Sequence, residues 1–279
     1  SKLITKKEAV DIKADPEVMN LIKEIKEKNK KITSKVIGKT KVKLNGERSM
    51  IRTGETNLGN LVADSMLASV DADVAITNGG GIRASIDKGP ITSGEVITVL
   101  PFGNTVVVKK VKGSALLNAL ENGVSKYPAH EGLFPQISGM SFIFAENRPA
   151  GERVLEVKIN GESLDYDQMY RVATNDFMAA GGDGYKMFAG TETYQEAGGL
   201  EELLMTYIKN KETILPTVEN RIIPVKFKNG NYFYKIEKGD TLKELADIFN
   251  ISLNKIVDNN DIEDPNKIFS GQELNIPIK

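Results

Sequence analysis

The chain has 279 residues, of which 27% are charged and 40% hydrophobic, and its formal net charge is −1. This composition suits a globular protein with room for one large domain and a small one, and its charge gives no footprint for a nucleic acid polymer or an anionic membrane. Zero cysteines and a single histidine exclude disulfides and thiolate metal sites and offer no His-rich metal cluster, Ser-His-Asp arrangement or cysteine nucleophile.

Residues 1–14 are lysine-rich, with room for a short strand, and show no signal peptide. A chain opening on Ser1 reads as the inside of a longer protein or as one trimmed of a tag. Nowhere is there an apolar run of about eighteen residues, the length that a membrane-spanning helix requires. Asp15-Pro16-Glu17 is a helix start, with Asp at the N-cap and Pro in the first turn. Val18, Leu21, Ile22 and Ile25 then fall on one face, with lysines and glutamates opposite. Val36 to Leu44 alternates enough for an edge strand, and Asn45-Gly46 is a turn. Arg52 precedes a helix capped by Thr56 or Asn57 and carrying Leu58, Leu61, Val62, Met66 and Leu67.

Asp73-Val74-Ala75-Ile76-Thr77 is a short buried strand that ends in Asn78-Gly79-Gly80-Gly81-Ile82-Arg83. Three glycines allow a tight turn and a close approach by another group. Arg83 then offers a fork of donors to phosphate, carboxylate or a diol, or else is an ordinary solvated arginine. Ile91 to Val99 holds a polar break and a short apolar run before Leu100-Pro101-Phe102-Gly103-Asn104. Phe102, fixed between Pro and Gly, is either buried or presented at a pocket rim. Thr105 to Val111 is a β-branched strand, and a helix carrying Leu116, Leu117, Leu120 and Val124 follows. His130 lies in a loop and reads as a surface residue.

Residues 135–171 are β-rich, with strands at Ser141–Phe144 and Val154–Ile159 and a hairpin signal at Asn160-Gly161. The strand Met169–Thr174 runs into Asn175-Asp176-Phe177 and the turn Gly181-Gly182-Asp183-Gly184. Two exposed aromatics with a gap between them would clamp a flat ring. Asp183 would accept from vicinal hydroxyls or simply close its own turn. A helix over Gly198 to Lys209 and a strand at Arg221–Val225 complete the large domain. Residues 227–231 read as a polar linker, and 232–279 as a β-α-α-β module.

Two resemblances rest on these residues. Glu55-Thr56-Asn57-Leu58-Gly59-Asn60, the Asn78–Arg83 turn, Leu100-Pro101-Phe102-Gly103 and Asn175 through Gly184, in this order, resemble the C-terminal domain of the 5′-nucleotidase family. The resemblance implies an α+β fold with a mixed sheet over 32–226. In it Phe102 and Phe177 would sandwich a nucleobase and Asp183 would hold the ribose hydroxyls. Arg52 and Arg83 would face the ribose–phosphate side, with Asn78 adding a polar contact. Residues 1–31 would be an N-terminal segment and connector helix. Two divalent metal ions and the catalytic histidine would belong to a preceding metallophosphoesterase domain that this sequence does not contain, so this chain alone is expected to be inactive.

Gly239-Asp240-Thr241-Leu242, Asn259-Asn260 and Gly271-Gln272-Glu273-Leu274-Asn275-Ile276-Pro277 resemble a LysM module. That likeness implies binding of N-acetylglucosamine-containing glycans such as peptidoglycan, with Gly239, Asp240, Thr241, Leu242, Asn260 and Ile262 as candidate contacts. The combined reading is the nucleotide-recognition half of a secreted, wall-associated, metal-dependent nucleotide phosphoesterase of 5′-nucleotidase or 2′,3′-cyclic-nucleotide 2′-phosphodiesterase type. The rival is a non-catalytic wall-binding protein with a nucleotidase-like scaffold.

Overall fold

A computed structural model describes residue 9 and residues 12–278. The short strand expected within residues 1–14 lies almost wholly outside the described residues. Asp15 caps α1 (Pro16–Thr33), its carboxylate accepting from the backbone N–H groups of Glu17 and Val18. The expected apolar stripe forms, yet Val18, Leu21, Ile22 and Ile25 are all exposed and no residue of the helix is buried. The helix approaches the body near its last turn, where Thr33 packs on Gly94.

The strand expected over Val36–Leu44 stops earlier, as β1 (Val36–Thr40), and Leu44 makes an isolated bridge to Ile86 instead. The short α2 (Arg48–Ile51) leads to α3 (Asn57–Leu67), which Thr56 caps by accepting from the Gly59 N–H. After β2 (Val74–Asn78) come β3 (Gly89–Thr92) and α4 (Ser93–Val99). This helix, read in the sequence only as a polar break and an apolar run, is started by a reciprocal capping box between Thr92 and Glu95. Then follow β4 (Thr105–Lys112), α5 (Gly113–Val124), β5 (Pro135–Ser138), β6 (Met140–Ala145), β7 (Val154–Ile159), β8 (Glu162–Ser163), β9 (Met169–Asn175) and α6 (Asp176–Ala179). A further strand, β10 (Thr193–Gly199), precedes α7 (Leu200–Lys211), β11 (Thr213–Ile214) and β12 (Ile222–Lys228).

The central sheet is mixed, in the order β10-β4-β9-β2-β5, and one apolar cluster covers each face. β2 and β9 run parallel, pairing Val74 with Val172 and Ala75 with Ala173. Their carboxyl ends, Asn78 and Asn175, therefore emerge side by side. β4 runs antiparallel to β9, with Val106 opposite Asn175, and β5 antiparallel to β2, with Pro135 opposite Asn78. The segments entering β4 and β5 consequently arrive at that same end of the sheet. A smaller sheet, β11-β1-β3, flanks it.

The stretch 227–231, expected to be a polar linker, is instead the heart of a hairpin. β12 pairs with β13 (Asn231–Lys235) across Asn229 and Gly230, both at positive φ (52° and 77°), as a two-residue hairpin turn requires. The first half of β12 adds in parallel to β6, and its second half in antiparallel to β13. One sheet, β14-β13-β12-β6-β7-β8, thus runs from the large domain into the small module of β13, α8 (Leu242–Ile248), α9 (Leu253–Asn259) and β14 (Glu273–Pro277). The module's core also incorporates Ile143, Ile223 and Val225 of the large domain, so the two parts share apolar packing as well as strands.

Candidate functional site

Four loops meet where the central sheet delivers them, around a cavity of about 380 Å³. Arg52, Asn78, Arg83, Phe102, Phe177 and Asp183 all line it. Gly80 and Gly81 of the glycine turn also line it, and Asn104 and Gly132, for which the sequence suggests no role, complete the lining.

The two phenylalanines are held by their neighbours rather than by their own burial. Phe102 is 61% and Phe177 45% exposed, while Leu100 is 5% exposed and Met178 fully buried. Asn175 caps α6 by accepting from the Met178 N–H at 2.8 Å, which directs the adjacent Phe177 outward. The Phe177 ring lies against Gly182: a Cβ there would sit 2.5 Å from the ring carbons. Gly182→Ala should therefore displace the ring while costing the fold within about 0.5 kcal/mol, because the clashing atoms are the far end of a side chain. A crystal structure showing a rotated Phe177 ring, with an unchanged melting temperature, is the expected result.

Asp183 sits at φ 51° between Gly181 and Gly184, both also at positive φ. This left-handed turn is one that Asp tolerates better than most residues. A relay of amides fixes its carboxylate. Asn175 Nδ2 donates to Asn78 Oδ1 at 3.0 Å and to Thr77 Oγ1 at 3.1 Å; Asn78 Nδ2 donates to Asp183 Oδ2 at 2.7 Å. Asn122 holds the Asp183 carbonyl at 3.1 Å. Asn175 is 2% exposed and orients the site from behind. The sequence signal for it was its place at the end of the strand parallel to β2, but register is a tertiary fact. Below it, burial and the nearby charge of Asp183 raise the Tyr185 phenol, keeping it protonated to donate to the Leu133 carbonyl at 2.7 Å.

The opposite wall is cationic. Arg52 ends α2, is 7% exposed, and donates through Nη1 to the His130 carbonyl at 3.3 Å. Its Nε is buried and makes no hydrogen bond among the described residues. Burial, with the like charges of Arg48 and Arg83, lowers its pKa from the ordinary arginine value, against the pull of Asp183 and Glu131. Arg83, exposed, donates to the Gly80 carbonyl at 3.3 Å and holds its guanidinium 5.8 Å from the centre of the Phe102 ring. An unmet buried donor beside a second arginine is a place prepared for an anion. Gly80 permits the close approach: its N–H donates to the Gly132 carbonyl at 2.8 Å, and a Cβ on it would sit 2.8 Å from Gly132 Cα.

Of the six candidates in the small module, Gly239 and Asp240 line one cavity, of about 590 Å³. Asp240 accepts from the Tyr234 hydroxyl at 2.8 Å and the Glu237 N–H at 2.7 Å, and Thr241 caps α8. Leu242 is 2% exposed in the core, against which Ile262 packs, and Gly239 turns at φ 109°. Asn260 is latched to β14 in both directions, donating to the Asn275 carbonyl at 2.8 Å and accepting from its N–H at 2.7 Å. The Asp240, Thr241 and Asn260 side chains thus make hydrogen bonds within the module. Among the described residues no group of three or more His, Cys, Asp or Glu is placed to hold a metal ion.

The sheet-end pocket, with aromatic, acidic and cationic walls, defines a small-molecule recognition domain. Residues 36–190 match the family described as "5'-nucleotidase, C-terminal domain", and the chain belongs to that family; residues 234–277 match the LysM domain. The chain is 42% identical over 233 residues to the trifunctional nucleotide phosphoesterase protein YfkN of Bacillus subtilis, covering 78% of this chain and 16% of that protein. It is 33% identical over 246 residues to a snake venom 5′-nucleotidase of Crotalus adamanteus, covering 80% of this chain and 41% of that one. A solved 5′-nucleotidase precursor from Thermus thermophilus superposes with a TM-score of 0.70 at 40% identity, over 75% of this chain and 43% of the other. The chain thus spans less than half the length of each of these three relatives.

Proposed function

We propose that the large domain recognises a nucleotide for a metal-dependent phosphoesterase and orients it, without itself performing the hydrolysis. The observation that carries this reading is the meeting of two exposed phenylalanines, one carboxylate and two arginines on a single cavity. Phe102 and Phe177 stack on the two faces of the base. Asp183, held by Asn78, accepts from the ribose hydroxyls. Arg52 and Arg83 meet the phosphate side, where the unpartnered Arg52 Nε gains an acceptor. The names of the relatives support the choice of a nucleotide as ligand.

In the whole enzyme, two divalent ions in a separate catalytic domain supply a Lewis acid and an activated water. This chain's residues hold the base and sugar, keep water from the stacked faces and point the ester outward. Helix α1, exposed along its length, serves as the connector to that domain. The LysM module binds wall glycan, which makes the enzyme extracellular and wall-associated.

Calorimetric titration with adenosine and 2′,3′-dideoxyadenosine tests the assignment of Asp183. Hydrogen bonds to a charged partner contribute about 1.5–3 kcal/mol, so the dideoxy compound should bind at least about tenfold more weakly. Asp183→Ala should abolish that difference while leaving base stacking. Equal affinity of the wild-type chain for both compounds would overturn the ribose role.

A further inference from the structure

The loop that opens the small module, Glu237 to Asp240, lies between two cavities, and the large domain walls both. One, of about 590 Å³, sets Val218, Glu219 and Asn220 against Lys238, Gly239 and Asp240. The other, of about 520 Å³, occupies the fork where β13 peels away from β12. On its module side stand Glu237, Lys238, Ser270 and Gly271; on its far side stand Tyr127 and Glu146 of the large domain. Glu237 and Lys238 run directly into Gly239–Leu242, the first of the stretches that the LysM likeness names as glycan contacts.

The far wall is built firmly. The Tyr127 ring packs edge-on against Phe144, with centroids 5.0 Å apart, and tilted at 40° against Phe134 at 6.4 Å; it is half-buried and lines the cleft. Glu146 is anchored to β12 through its backbone N–H, which donates to the Val225 carbonyl at 2.8 Å. Burial and the adjacent Glu146 raise the Tyr127 phenol, so that its hydroxyl remains a donor. The shared sheet and the shared apolar core keep this wall in register with the module. An aromatic ring flanked by carboxylates and ammonium groups is the composition that receives a pyranose: the ring takes the sugar's C–H face and the charged groups take its hydroxyls.

We propose that the cleft at this fork is a carbohydrate subsite continuous with the module's glycan groove. Tyr127 is the platform for one sugar ring and Glu146 is an acceptor for its hydroxyls. The assignment rests on the reading of the module as glycan-binding, and gives the large domain a part in it. A glycan long enough to leave the module then crosses onto the domain that holds the nucleotide pocket.

Titration of the full chain with N-acetylglucosamine trisaccharide and hexasaccharide tests this. The hexasaccharide should bind at least about tenfold more tightly than the trisaccharide. Glu146→Ala and Tyr127→Ala should each remove most of that gain and leave trisaccharide affinity unchanged. Because Tyr127 supports two other rings, its variant is read only if its melting temperature stays near wild type; Glu146→Ala, which keeps the ring and the backbone anchor, carries the test if it does not. A length gain that survives both substitutions, or is absent from the wild type, overturns the subsite and leaves the LysM reading standing. Failure to bind either saccharide overturns that reading as well.

Discussion

Replacing both Phe102 and Phe177 with alanine should reduce adenosine affinity by roughly 2–6 kcal/mol, from about 1–3 kcal/mol per stacked ring, and leave the fold intact. The two side chains are 61% and 45% exposed, so neither supports the core. What holds their loops is the buried layer beneath: Leu100, Met178 and the Asn175 cap. Exposed aromatics that the surrounding structure fixes but does not cover serve a ligand better than they serve stability. The double variant should therefore unfold at the wild-type denaturant midpoint while its calorimetric signal with adenosine disappears. Each single variant should lie between, and the two losses need not add, because both rings touch one ligand. Unchanged binding in the double variant would mean that the base lies elsewhere.

Arg221→Ala should cost about 3 kcal/mol of stability, toward the lower end of what loss of one partner in a buried ion pair produces. The Arg221 side chain is 13% exposed and forks onto Asp64, with contacts of 2.6 and 3.1 Å, while also reaching Glu219 at 2.7 Å and the Ile137 carbonyl at 2.8 Å. It stands at the start of β12, the strand that joins the two sheet halves. Glu55 grips the same segment from α3's side, accepting from the Glu219 N–H at 2.6 Å and the Arg221 N–H at 2.5 Å. Removing the guanidinium leaves Asp64 with the Ser138 hydroxyl as its remaining side-chain donor among the described residues. Arg221→Lys, which keeps the charge but loses the fork, should recover part of the loss. Urea unfolding measures all three chains. A cost below about 1 kcal/mol, the range of exposed ion pairs, would show that this pair does not anchor β12.

Much of the candidate pocket was legible because its residues sit where the chain must change direction. Asn78–Arg83 and Asn175–Gly184 end strands in glycine-rich turns, and Phe102 is bracketed by Pro and Gly. Local rules fix such places. They could not reveal that Asn175 steadies Asn78 and through it Asp183, since that relay depends on β2 and β9 lying parallel and in register. Nor could they show that Gly132, from a loop some fifty residues beyond Gly80, closes the cavity against it.

Elsewhere the signal was present and outweighed. Thr92 and Glu95 have capping-box spacing, yet the polar residues at the junction of β3 and α4 read as a break. Asn229-Gly230 is itself a hairpin signal, but the lysines and asparagines around it have the composition of a linker. β10 escaped because most of its side chains are exposed or half-exposed and it ends on two glycines, which gives no apolar alternation to read. In the small module, the resemblance marked Asp240, Thr241 and Asn260, whose side chains close turns, cap a helix and latch β14. Residues can recur in a motif because the fold needs them.

The most direct test of the recognition reading is a calorimetric titration of this chain with AMP and with adenosine. One site for both is expected, with adenosine competing for AMP, and tighter binding of AMP by an increment that Arg83→Ala removes. Absence of binding for either ligand at tens of millimolar, about 2–3 kcal/mol of affinity, would contradict it and favour a domain that keeps the pocket only as scaffold.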